Sequence, residues 1–499
     1  MKSSFYRKTW SKLSEKSPRM PDLIRLSRQV AYSFLDYYLK DCRYEEGFID
    51  LLCRMSTFSD DPGLNKPAAV ALFGIIIESL CDDFEELQTE TYNRVMTQVI
   101  SFCRSIPAGK ELDKALNEFG IFNSDCLIER ISKIRDNGLV LSKEKKIKKI
   151  LLLSRITIGA DVAVTSVIIQ RFAKIFPGAK IVLMGQDKLK EVYGGNPDTK
   201  IRDVKYLRKG GLLERLSSWH KVLSIIHEET QDLLPEEVIL VDPDSRLSQL
   251  GILPLISSDR YFFFDSRSDI TFSKGLSMPE LANAWVDSLT GEKDFCYPCV
   301  WLPEDVKGIS ASLLKKIRGC GPEKIIVVNF GVGGNYRKMV GEGLEEKLLL
   351  KLLEEQGTVI LLDKGFGEEE SALINLLLDI IENRGYQVAH AEFESDADLK
   401  IRHGVVGMHT KIGEISALIS ESDEFLGYDS ACQHIAAALG IPCVTIFAGS
   451  NNMRFIRRWS AFGRNASRIV HVDTLSDPRA VDEDDIVDRI MYTRKLHNI

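Results

Sequence analysis

YDSACQHIAAALGIPCVTIFAG, residues 428–449, is the stretch whose reading decides the fold. It follows the apolar end of a strand (Phe425, Leu426, Gly427) and opens on a polar turn, Asp429-Ser430. A helix begins near Ala431, a short Gly-Ile-Pro connection follows, and Cys443–Phe447 is a second buried strand. Strand, turn, helix, strand is the unit of a parallel α/β sheet. The turn that opens its helix leaves backbone N–H groups unpaired and sits at the positive end of the helix dipole, so it suits an anion. A nucleotide diphosphate is the commonest such anion.

Working outward, a second α/β series precedes this stretch. Lys324–Phe330 is a strand, Gly331–Asn335 a glycine-rich loop and Gly341–Glu355 a helix. Thr358–Leu362, Tyr386–Ala391 and Glu424–Gly427 read as strands, Glu369–Arg384 and Ile412–Ser420 as helices. Further upstream, Ile150–Leu153, a turn through Gly159 and Asp161, a helix to Phe176 and the strand Lys180–Met184 make a βαβ unit, with strands at Glu237–Val241 and Tyr261–Phe264. Residues 1–145 carry only helical periodicity. Leu23, Leu26, Val30, Phe34 and Tyr38 share one face, and Tyr92, Val95, Val99 and Cys103 another. The expected fold is α/β: two Rossmann-type domains facing a central cleft, preceded by an all-helical N-terminal domain. Its parts are a helical domain at 1–145, a first Rossmann-type domain at 146–305, a second at 306–475 and a terminal helix at 476–499.

Composition bounds the function. The 499 residues are 44% hydrophobic and 27% charged, as in soluble globular proteins. The net charge of −7 argues against a general nucleic-acid binder. The basic run Lys143–Lys149 reads as a solvated lead-in to the first strand. No stretch reaches the roughly 18 apolar residues of a membrane span, the most apolar helix (Pro67–Leu80) reads as core, and the N-terminus lacks the apolar segment of a signal peptide. The ten cysteines are scattered through apolar patterns, which suggests reduced thiols and a cytoplasmic setting. Cys296 and Cys299 form a C-x-x-C without two further zinc ligands at workable spacing and without a following helix, so a structural role is expected and no metal site is assigned.

The candidate site residues stand at strand ends, where α/β folds bind ligands. Gly333, Gly334 and Asn335 allow a ligand close to the backbone, and Lys338 adds a cation suited to phosphate. In LLDKGFGEEE (361–370) a carboxylate suits ribose hydroxyls, and Glu368 is the one nearest the loop; helix-start enrichment in Glu is the alternative reading. His434 lies one turn beyond Ser430 on the same face, as a donor to phosphate or sugar or as a core histidine. Asp161, at the first strand-to-helix turn, is placed either as a general base or as a helix cap. Asp242, Asp244 and Arg246, at another strand end, are candidates for acceptor binding or for a structural ion pair.

Together these residues resemble glycosyltransferase family 9, the heptosyltransferase-like enzymes of GT-B fold, over roughly 149–499. The motifs that carry the resemblance are Asp429-Ser430-Ala431, His434, Ala436–Ala438, Pro442 and Phe447–Ser450; Arg155, Gly159 and Asp161; Gly333–Lys338; and Gly413–Ile419. The chain departs from the family pattern at Ala160, inserted between Gly and Asp, and at Ala431, where Gly is usual. The resemblance implies an inverting glycosyltransferase that moves a heptose-type or related sugar from a nucleotide-diphosphate donor, ADP-heptose first, to an acceptor hydroxyl in glycan or glycoconjugate synthesis. It implies an acceptor domain at 146–305 and a donor domain at 306–475, with Asp161 as base; Lys338, Ser430 and the helix after Asp429 as the diphosphate cradle; Glu368 on the ribose; Thr410 against the nucleobase; and Asp429 among the donor-binding residues. Arg155 belongs to its acceptor side. No cofactor is required, although Mg²⁺ can accompany the nucleotide. The acceptor is a glycan, a lipid-linked sugar or a protein, and contact with the inner face of a membrane is left open. A nucleotide-sugar epimerase or hydrolase and a non-catalytic nucleotide-sugar binder are the alternatives.

Overall fold

The computed structural model describes all residues except 1, 17, 42, 82–83, 136–137, 143–145, 268–274, 366, 395–398, 478–480 and 497–499; the first three residues of the 143–149 basic run therefore lie outside the described residues. The chain forms two compact units. The first holds Met1–Ile156, Gly178–Gln186 and Arg202–Lys274; the second holds Thr157–Pro177, Asp187–Ile201 and Gly275–Ile499.

In the first unit the described residues up to Arg135 form helices and turns, with no strand. The long helix Met20–Asp41 buries Leu23, Leu26, Val30 and Phe34, and Glu86–Ser105 buries Tyr92, Val95, Val99 and Cys103. These are the amphipathic stripes of the sequence. Asp61 caps the helix from Pro62, accepting from Gly63 N at 2.8 Å. That helix continues through Ala71–Ile77 and Glu78–Leu80. At 19 residues with a mean hydropathy of 1.3 it has the length and composition to cross a membrane, which corrects the expectation that no stretch reaches that length. Ala68, Leu72, Phe73, Ile76, Ile77 and Leu80 are nonetheless packed into the protein core.

The first sheet comprises β1 (Lys149–Leu153), β2 (Lys180–Gly185), β3 (Thr199–Asp203), β4 (Val238–Asp242) and β5 (Tyr261–Phe263), in the order β3-β2-β1-β4-β5. β1 pairs in parallel with β2 and β4, and β4 with β5. β1 and β4 are continuous apolar runs because both faces are covered. β3, at the sheet edge, alternates with charged residues and shows no such run, which is why its sequence did not announce it. Side chains of the helical region (Phe73, Val99, Leu116) and of the sheet and its helix (Leu151, Val182, Trp219, Leu240) form one continuous core.

The second unit contains a seven-stranded parallel sheet: β6 (Lys324–Asn329), β7 (Thr358–Asp363), β8 (Gln387–Glu392), β9 (Gly404–His409), β10 (Glu424–Tyr428), β11 (Cys443–Phe447) and β12 (Ser467–His471), ordered β12-β11-β10-β6-β7-β9-β8. β9 and β12 were not evident in the sequence: glycines break the first, and the second is short and polar. After β6 the chain builds outward on one side through β7, then returns to place β10 on the other side of β6. The loops leaving β6 and β10 therefore flank the topological switch point, where α/β sheets bind ligands. The last helix, Glu483–Lys495, is capped by Asp482 and buries Ile486, Val487 and Ile490 in the core of this unit. Its Arg494 pairs with Glu424 and Glu355, each at 2.8 Å.

Candidate functional site

At the end of β10 the Tyr428 hydroxyl donates to Glu345 at 2.6 Å and accepts from Val340 N at 3.1 Å, which ties the loop after β6 to the strand. The loop after β11 closes on the same place. A Cβ on Gly449 would stand 2.1 Å from the Arg337 carbonyl oxygen, so only glycine allows this approach. Between them Lys338 donates to the Asp429 carboxylate at 2.5 Å and to its carbonyl at 3.2 Å. Gln433 donates to the other Asp429 oxygen at 2.5 Å. Asp429 is buried, and burial raises its pKa, against the opposing pull of Lys338 and Gln433. The helix Ala431–Leu439 begins next, and no side chain caps it. The Ser430 hydroxyl is buried and makes no hydrogen bond of ordinary geometry to any described residue, although it lies close enough to the Cys432 thiol to influence its ionisation. An uncapped helix start beside a buried hydroxyl without a partner presents donors to an incoming anion. Because Asp429 balances the charge of Lys338, what this place offers an anion is a set of oriented donors, the Lys338 ammonium among them, rather than net positive charge.

His434 is buried on this helix, edge-to-face with Trp459 at 6.1 Å between ring centroids. Burial, with Lys338 nearby, lowers its pKa to about 3, so the ring is neutral at physiological pH and keeps one N–H donor.

Asp161 is brought to the same helix. The segment Ile158–Ile175 is helical, with a turn of wider π geometry at Asp161–Thr165, a feature frequent at functional sites. The residue preceding the helix is Thr157, so Asp161 stands inside the helix and does not cap it. It is fully buried, and its Oδ1 accepts from the Thr165 hydroxyl at 2.7 Å. A Cβ on Gly159 would lie 3.1 Å from both Ala431 Cα and His434 Cδ2, and 3.7 Å from Ala431 Cβ. The missing side chain of Gly159 thus lets the backbone at Ala431 and the His434 ring approach closely, while the Ala431 methyl sits at ordinary contact distance. The buried phenol of Tyr193 is held above its usual pKa by burial first and then by the Asp161 charge, which places the two side chains near each other.

Beyond β6 and β7 lies a second polar group. Asn329 and Asp363 are register partners; Asn329 donates to Asp363 at 2.6 Å and Thr410 to its other oxygen at 2.7 Å. Burial raises the Asp363 pKa, and its charge reaches Cys432 in the first turn of the 431–439 helix. Gly333 and Gly334 have φ of 62° and 80°, which suits glycine. Asn335 leads into the turn that carries Lys338. Glu368 is exposed at the start of its helix. Glu370, two residues on, is buried and accepts from Val332 N at 3.2 Å. Sequence reasoning singled out neither Glu370 nor Asp363; the signal available was a carboxylate at the last position of an apolar strand and one further along the following helix.

Of the remaining residues, Arg155, Asp242, Asp244 and Arg246 are in the first unit, and Cys296 and Cys299 in the second. Arg155 donates to the Pro243 carbonyl at 2.5 Å and to Ser266 at 3.3 Å. Asp242 accepts from Ser245 N at 2.7 Å, from the Ser248 hydroxyl at 2.5 Å and from the Tyr261 hydroxyl, and burial raises its pKa to about 6. Asp244, at φ 63°, accepts from Ser266 at 2.6 Å and pairs with Arg267 at 3.3 Å. Arg246 lies 5.9 Å from the centre of the Tyr92 ring. Asp242 and Asp244 thus brace their own turn. Cys296 and Cys299 are free thiols, and their backbone N–H groups donate to Asn283 at 2.9 Å and to Ser166 at 3.0 Å. Among the described residues no group of three His, Cys, Asp or Glu side chains is placed to hold a metal ion.

Fold and site define an α/β chain with an uncapped helix start at a topological switch point and a buried carboxylate on the helix packed against it. Residues 375–482, which include the Asp429 turn, match the family model for glycosyltransferase family 9 (heptosyltransferase). Lipopolysaccharide heptosyltransferase 3 of Escherichia coli is 31% identical over 102 residues, 18% of this chain; the match spans 30% of that relative's length. Among solved structures, a glycosyl transferase family 9 protein of Veillonella parvula is 13% identical over 71% of this chain and 98% of its own, with a TM-score of 0.49. E. coli ADP-heptose lps heptosyltransferase II is 12% identical over 70% and 99%, with a TM-score of 0.43. E. coli heptosyltransferase WaaC with ADP is 11% identical over 69% and 99%, with a TM-score of 0.44.

Proposed function

We propose that this protein is an inverting glycosyltransferase that uses a nucleoside-diphosphate sugar, with ADP-heptose the first donor to test. The observation that carries the reading is the junction of two helices in the second unit. One begins uncapped at Ser430 beside Lys338; the other carries Asp161 and approaches it at Gly159. The family match supports the nature of the anion, since it covers the Asp429 turn.

In this reading the diphosphate lies against the Ser430 hydroxyl, the first N–H groups of the 431–439 helix and the Lys338 ammonium. The acceptor oxygen attacks the anomeric carbon on the face opposite the diphosphate. A new C–O bond forms, the bond to the diphosphate oxygen breaks, and the acceptor proton passes to Asp161. Negative charge grows on the leaving diphosphate, where preorganised donors are worth about 3–4 kcal/mol each. Asp363, at the end of β7 and held by Asn329 and Thr410, and Glu370, buried in the first turn of the helix that follows, are the carboxylates suited to a ribose or base.

Asp161→Asn tests the base. The variant is expected to bind donor as the native protein does and to lose at least about a hundredfold in transfer rate, the scale of general-base catalysis. Incubation with ADP-heptose and an acceptor extract, followed by release of ADP, measures it. A variant with native turnover would remove Asp161 from the reaction.

A further inference from the structure

We propose that the outer face of the first two helices is a docking surface for an anionic lipid bilayer. The charge of the chain is segregated. Residues 1–30 hold eight basic side chains (Lys2, Arg7, Lys8, Lys12, Lys16, Arg19, Arg25, Arg28) against two acidic ones (Glu15, Asp22), in a protein whose net charge is −7. Lys2, Lys8, Lys12, Lys16 and Arg28 are exposed and form no ion pair with any described residue. Their charge is therefore available to a partner.

The same two helices expose apolar side chains. Helix Met20–Asp41 buries Leu23, Leu26, Val30 and Phe34 on its inner face, yet its outer face shows Met20 (39% exposed), Ile24 (43%) and Tyr32 (51%). Spacings of four and eight residues align these three along the helix. They line one groove with Tyr6 of the first helix and with Arg25 and Arg28. Phe5, 51% exposed on the first helix, packs its ring edge-on against Tyr6 at 5.3 Å.

The combination selects the partner. Apolar side chains flanked by unpaired Lys and Arg match the boundary of a bilayer, where acyl chains take the first and anionic headgroups the second. A second copy of the chain would bring one strongly basic surface against another. A nucleic acid would satisfy the charges and leave Met20, Ile24 and Phe5 in water.

Flotation of the full-length protein with vesicles tests this. The protein is expected to float with phosphatidylcholine vesicles containing phosphatidylglycerol, to stay behind with phosphatidylcholine alone, and to dissociate as salt is raised. The exposed double variants Lys8→Glu/Lys12→Glu and Ile24→Ser/Tyr32→Ser should each bind at least about tenfold more weakly, from the lost charge and the lost apolar burial respectively. Both should keep the native melting temperature and ADP binding. Absence of binding to anionic vesicles, equal binding to neutral ones, or native binding by both variants would overturn the proposal. So would self-association abolished by Ile24→Ser/Tyr32→Ser, or displacement of vesicles by a DNA duplex that binds more tightly.

Discussion

His434 is one turn from Ser430 and reads from sequence either as a donor or as a buried core residue; its pKa of about 3 makes the two compatible, because a buried neutral ring still offers one N–H. The shift has a consequence for stability. The unfolded imidazole binds a proton below its ordinary value near 6.5, whereas the folded one does so only near 3. Between these values the unfolded state holds more protons, so stability rises with pH and is lost as pH falls through that window. At pH 5 the loss from this residue is about 2 kcal/mol. His434→Gln lacks that titration, so its unfolding free energy should fall about 2 kcal/mol less than that of the native protein between pH 7 and pH 5. Equal pH slopes in urea titrations would show that His434 is solvated. At this scale Lys338, Asp429 and Ser430 were legible in the sequence, because each stands in a turn at the end of an apolar strand. The carboxylates of 361–370 were not. Which of Asp363, Glu368, Glu369 and Glu370 faces inward depends on strand register and on the rotational phase of the next helix. One residue of phase separates the exposed Glu369 from the buried Glu370.

Among the elements, the decisive contact is between the helix through Asp161 and the helix from Ala431. Gly159 sets their separation, since any Cβ there meets the backbone at Ala431, which has no flexible end to move aside. Gly159→Val should push the two helices apart, destabilise the second unit by about 1–3 kcal/mol and weaken nucleotide binding together with transfer. Calorimetric melting and ADP titration measure the two effects; a native melting temperature with native ADP affinity would mean that the helices do not approach in this way. The sequence shows two departures from the family pattern near this contact, Ala160 and Ala431. The methyl of the second sits at ordinary contact distance from Gly159, and the close approach is to the Ala431 backbone, a pairing that spacing along the chain does not reveal. Strands with continuous apolar runs (β1, β4, β6, β7, β11) were legible for a simple reason: a parallel strand covered on both faces needs apolar side chains at every position. The β3 and β12 edges need fewer, and β9 achieves its burial with two glycines.

For the whole molecule, the helical region and the first sheet share one core, so the helices to Arg135 are part of a folded unit and not an appended tail. The sequence marked the change from helical to α/β patterning near residue 150, but a boundary in pattern is not a boundary in packing. The compact units also cut across the chain: the segment 157–177 lies with the second unit although both strands beside it in sequence lie with the first. That exchange is what places Asp161 in the unit that holds Ser430. The proposed transfer therefore requires the second unit to bind a nucleoside diphosphate at the start of the 431–439 helix. Calorimetric titration of ADP into the native protein and into Lys338→Met tests this most directly. We expect one ADP per chain in the native protein and at least about tenfold weaker binding in the variant, the effect of losing one charge-assisted donor. Binding of equal strength in both, or none by the native protein to ADP or to any other nucleoside diphosphate, would contradict it.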